Sequence, residues 1–166
     1  MTALADTAAV LKPSARHLVP DASFVTAVHI VQRCNAGLHD DMASRIVDEA
    51  LKFLAAAATN RTPGFALRPS RIADEGWHAL LWDTKTYESL CAFLGRFIHH
   101  VPESPATKKH DTATVDRTLA AIRSAGYLPD DYLWAKETQN SVLVAADCMH
   151  SECTDGGSNC AAPEAN

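Results

Sequence analysis

Asp40-Asp41-Met42-Ala43-Ser44-Arg45-Ile46-Val47-Asp48-Glu49-Ala50-Leu51-Lys52-Phe53-Leu54-Ala55-Ala56-Ala57-Ala58 is the stretch that decides the fold class. Met42, Ile46, Ala50, Leu51 and Leu54 recur at spacings of three and four, so on a helix they share one side, and Asp40 or Asp41 can cap its start. A strand would scatter the same residues over both faces of a sheet. Upstream, Ala22 to Ala36 sets Phe24, Val25, Val28 and Val31 on one side and ends near Gly37, a residue suited to the left-handed position after a helix. The two segments are expected to pair antiparallel.

The same alternation of helix and punctuation continues downstream. Asn60, Thr62, Pro63 and Gly64 mark a loop between Thr59 and Arg68, because their φ restrictions oppose a helix interior. Pro69 or Ser70 opens a third helix through Trp82. Thr84 opens a fourth to about Ile98, with Asp83 and Thr84 offering side-chain oxygens to free amides. A polar connection from Val101 to His110 leads to a helix carrying Val115, Leu119 and Ile122 and closed by Gly126. Pro129 and two aspartates start a last turn through Trp134. Val142 to Ala146 is an apolar run too short for its period to separate strand from buried helix. The expected fold is all-α, a compact antiparallel helical bundle: an extension over 1–20, a helical domain over 21–146, and a flexible tail over 147–166 that carries Cys and Gly.

A chain of 166 residues with 47% hydrophobic content has enough apolar side chains for one core. Net charge of −5 gives no general attraction to phosphate backbones or anionic lipid, so nucleic acid and membrane partners are not expected. No stretch approaches the roughly 20 apolar residues of a membrane span, and Met1 to Pro20 has no basic start followed by an apolar run. The expected location is the cytoplasm. Five cysteines, an odd number, do not form a paired framework and suit thiols in a reducing compartment. Walker, dinucleotide, nucleophile-elbow and HExxH motifs are absent, so the common nucleotide and hydrolase chemistries lose support.

Chemistry-bearing side chains concentrate between Asp74-Glu75-Gly76-Trp77-His78 and His99-His100-Val101-Pro102, with Tyr87, Cys91 and Gly95 between them. Asp74 and His78 are four apart and project from one helical face. If the third and fourth helices pack antiparallel, Cys91 can face His78 while His99 or His100 enters from the far end. Asp74, His78, Cys91 and His100 would then offer O, N, S and N donors to zinc, iron or copper. The competing reading is a hydrogen-bonded core, since histidine and cysteine are often buried without a metal. Gly76 inside a helix costs on the order of 1 kcal/mol relative to Ala, which points to close approach of another backbone or ring. Cys34 is read as core, and His17, His29, His39 and His110 as solvent-facing or locally bonded.

The run from Ile72 to Pro102, about a fifth of the chain, resembles the glycine-rich domain-containing protein-like family in its D-x-x-W-H, Tyr, Cys, Gly and H-x-P pattern. Asp74, Trp77, His78, Tyr87, Cys91, Gly95, His100 and Pro102 carry the resemblance. Such proteins often place a second histidine two residues after the Trp-His histidine, where this chain has Leu80. The resemblance implies a helical domain and no settled activity.

A second candidate metal site is Cys148, His150, Cys153 and Cys160, in a spacing unlike a standard zinc finger. Ser151, Thr154 and Ser158 interleave with these cysteines and also suit a precursor whose tail is enzymatically modified. Three function classes follow: a small metal-binding helical protein, a non-catalytic interaction or regulatory module, and an enzyme in which a metal activates water beside Asp74 or Glu75 as base. The partner expected is an unspecified protein or small molecule.

Overall fold

Of the apolar face of the quoted segment, Ile46, Ala50, Leu51 and Leu54 have 0% exposure, as do Ala43 and Val47 beside them, while Met42 at its start is partly buried. The computed structural model describes residues 10–60, 67–101, 112–142 and 144. Seven α-helices occur among the described residues: α1 (Asp21–Cys34), α2 (Asp40–Thr59), α3 (Arg71–Leu81), α4 (Thr84–Phe93), α5 (Thr112–Ser124), α6 (Asp131–Trp134) and α7 (Lys136–Ser141). They form a compact antiparallel bundle. α2 is its axis, covered by α1, α3 and α5, which explains why burial extends around it to Phe53 and Ala56 as well as along one stripe. Each fully buried Ile, Leu or Phe side chain there contributes about 1.5–3 kcal/mol.

Helix ends follow local chemistry. The N-cap of α2 is His39 and makes no side-chain cap bond, so Asp40 and Asp41 lie in the first turn, where they favour the helix through its dipole and not as caps. Ser70 caps α3 by accepting from Ala73 N, and Asp83 caps α4 by accepting from Thr86 N. α4 stops at Phe93, short of the expected Ile98. Gly95 takes φ +82°, its N–H bonds Ala92 O, and Arg96 N bonds Cys91 O, the paired bonds of a Schellman ending. Gly126, at φ +89°, closes α5 in the same manner through Gly126 N to Arg123 O and Tyr127 N to Ile122 O.

Several side chains differ from the expectation. Val25 is 43% exposed, on the outer side of α1, and Cys34 is exposed at its end, so neither belongs to the core. The short helix α7 has no strong apolar period and was not expected. Residues 12–19 pack against the bundle: Ala15, Leu18 and Val19 are buried, Asp48 accepts from Ser14 Oγ and Ala15 N, and Lys12 forms a parallel bridge with Tyr127. Of the run from Val142 to Ala146, Val144 is buried outside any helix or strand; Leu143, Ala145 and Ala146 lie outside the described residues. So does the whole tail.

α6 is fastened to α2 by charge. Glu49, fully buried, accepts from Trp134 Nε1 at 2.6 Å, Asp130 N at 3.0 Å and Lys52 Nζ at 3.1 Å. Three donors around one carboxylate satisfy an anion, which burial alone would penalise. Burial pushes the Glu49 carboxyl up, while Lys52 and the Trp134 and Asp130 N–H groups oppose that shift. Arg45 grips Asp130 with two bonds of 2.7 and 2.9 Å.

Candidate metal centre

α3 presents the centre because Gly76 lets it lie against α2. A Cβ on Gly76 would stand 2.5 Å from Ile46 O and 2.9 Å from Ala50 Cβ, so only hydrogen fits. With that face against α2, the Asp74 and His78 side chains, four residues apart, share another side of α3. Asp74 has 8% and His78 11% side-chain exposure, so both sit at the margin of the core.

His100 arrives from beyond α4. The Schellman ending turns the chain back, Ile98 is buried, and the Tyr87 hydroxyl donates to Ile98 O. Tyr87 Oη in turn accepts from Trp77 Nε1 at 3.0 Å. Burial pushes the Tyr87 phenol above its ordinary range despite the opposing Trp77 bond, so the hydroxyl keeps the proton it donates. The Trp77 indole also meets the His100 ring edge-on, with centroids 4.5 Å apart, and packs on Phe53 from its other surroundings at 5.4 Å.

The resulting geometry is tight. His100 Nε2 lies 3.0 Å from Asp74 Oδ1 and 3.0 Å from His78 Nε2, and His78 Nε2 lies 3.8 Å from Asp74 Oδ2. Two donors each about 2.1 Å from a shared ion stand roughly 3.0 Å apart at a right angle and roughly 3.4 Å at a tetrahedral angle. The observed separations span those values. An imidazole nitrogen carries at most one proton, and a single Nε2–H on His100 cannot point at both neighbours with good geometry. One cation can be shared by the two Nε2 atoms and the Asp74 carboxylate.

Among the described residues, the group of donors lying within 4.8 Å of one another comprises Asp74, His78 and His100. Cys91, the expected sulfur donor, is not in it: the thiol is buried on α4 within hydrogen-bonding reach of the Tyr87 phenol. His99 is exposed and its ring leans tilted against Phe97, with centroids 4.8 Å apart, so His100 is the histidine that enters. Glu75, weighed as a base, is buried one position round the helix and accepts from Asn35 Nδ2 at 2.8 Å, tying α3 to the end of α1. Cys148, His150, Cys153 and Cys160 lie outside the described residues, as do Pro102 and His110. The Trp77–Tyr87–Ile98 connection was missed by sequence reasoning, although Trp and Tyr within the motif were its visible signal.

No helix among the described residues is long and apolar enough to cross a membrane. The model of the UCP032817-like family matches residues 22–123, a span that contains all three converging residues. Comparison with curated proteins and with solved structures gave no match.

Proposed function

The chain belongs to the UCP032817-like family, and we propose that it binds one divalent metal ion through Asp74, His78 and His100. The observation that supports this is the convergence of three electron-pair donors, from α3 and from the segment after α4, at separations of 3.0, 3.0 and 3.8 Å. Two imidazoles and a carboxylate form an N, N, O set that suits zinc or iron(II), and without a thiolate it has no special preference for copper(I). An ion held there would act as a Lewis acid toward whatever oxygen reached it. The likeness of residues 72–102 to the glycine-rich domain-containing protein-like family is carried as part of the same proposal and adds no activity to it.

Elemental analysis of protein purified without an affinity tag, followed by titration with zinc and iron(II), tests the reading. About one equivalent per chain is expected. Asp74→Asn, His78→Ala and His100→Ala should each weaken binding by more than tenfold, about 1.4 kcal/mol or more, whereas Cys91→Ala should leave the stoichiometry unchanged. Failure of the wild-type chain to bind either metal would end the proposal.

A further inference from the structure

Deepening the metal-centre reading, and resting on it, we propose that Tyr87 is the positioning residue of this centre. Its hydroxyl sets where His100 stands over Asp74 and His78 without touching the ion itself.

Asp74 and His78 ride on one helix, so their spacing is fixed by the fold of α3 alone. His100 lies twenty-two residues beyond His78 and outside any helix, so its ring has no secondary structure to orient it. Something from the packed body must hold the backbone just before it. Ile98 O, two residues upstream, receives the Tyr87 hydroxyl. Tyr87 is 3% exposed and anchored in α4, and its oxygen accepts from Trp77 Nε1. Trp77 belongs to α3, next to His78 in sequence, and its ring edge packs on His100. A closed circuit therefore runs from α3 through Trp77, Tyr87 and Ile98 to His100, and back to α3 at Asp74 and His78.

The Tyr87 hydroxyl is the one group in that circuit that joins α3, α4 and the segment carrying His100. Groups hydrogen-bonded directly to a metal's ligands commonly change affinity by about 10–100-fold when lost, and Tyr87 holds the chain two residues before such a ligand, which sets about tenfold as the scale to look for. Removing the hydroxyl leaves the ring and its packing in place, so positioning can be separated from bulk.

Tyr87→Phe is compared with the wild-type chain and with Leu90→Ala, which removes buried volume from α4 but none of the circuit. Zinc affinity is read by competition with a chromogenic chelator, and helicity and melting are read on the same samples. In parallel, carbethoxylation of His100 by diethyl pyrocarbonate is followed by peptide mass spectrometry without metal. Tyr87→Phe is expected to stay folded, to bind zinc at least tenfold more weakly, and to expose His100 to modification several-fold faster. Leu90→Ala is expected to melt earlier while keeping its affinity. Unchanged affinity and unchanged His100 reactivity in Tyr87→Phe would overturn the proposal. If wild-type protein binds no zinc, the metal reading fails, and the carbethoxylation rates still decide whether Tyr87 positions His100. Should Tyr87→Phe not fold, site-specific replacement of Trp77 by 3-benzothienylalanine, which keeps the bicyclic ring against His100 and Phe53 and deletes only the N–H donated to Tyr87, carries the same expectations.

Discussion

Gly76 determines more than its size suggests. Its hydrogen faces Ile46 O at a separation no Cβ tolerates, and that acceptor is backbone, which cannot swing aside as a side chain would. Gly76→Ala gains about 1 kcal/mol of helix propensity but forces α3 away from α2, at about 1–3 kcal/mol of overpacking. The expected outcome is a net loss of stability, read as a lower urea midpoint with an unchanged denaturant slope. A rise in midpoint would show that α3 can shift freely. The sequence already carried this: a glycine in an otherwise regular amphipathic helix asked for a close neighbour. What it could not supply was the neighbour's identity, since Ile46 and Gly76 are brought together only by the crossing of two helices.

At the scale of elements, the fold was legible wherever an apolar period ran for several turns, as in α2, or where a capping residue stood before it, as Ser70 and Asp83 do. It was less legible where tertiary charge took over. Nothing local in Lys136–Ser141 demands a helix, and Glu49 amid apolar neighbours gives no hint that Trp134 and the Asp130 amide will meet it. The α2–α6 clasp has a pH signature. Burial pushes the Asp130 carboxyl up, but the two bonds from Arg45 and its positive charge outweigh this and hold it below the usual aspartate range. Because the folded value lies below the unfolded one, the clasp contributes stability above about pH 4 and loses it as pH falls through the lower folded value. Melting temperatures taken between about pH 5 and pH 3 should therefore fall more steeply for the wild-type chain than for Asp130→Asn. Parallel slopes would detach the clasp from acid stability.

On the scale of the whole molecule, the candidate site was partly visible in the sequence and partly not. Asp74 and His78 were readable because four residues make one helical step. Cys91 stays beside Tyr87, one helical step along α4, and outside the donor group, and His100 was readable only as one of two histidines after the fourth helix, since what brings it back is the Schellman turn at Gly95. Such a turn depends on one φ angle and redirects everything after it.

The contact between Lys12 and Tyr127 carries a kinetic message. Lys12 N bonds Gly126 O, and Leu128 N bonds Lys12 O, both at 2.8 Å, so two distant stretches hold each other by a pair of amides that neither helix protects. Peeling either stretch from the body frees both protons at once. In native-state hydrogen exchange the Lys12 and Leu128 amides are expected to decay at a common opening rate, and two unrelated rates would mean that the ends of this clamp breathe separately.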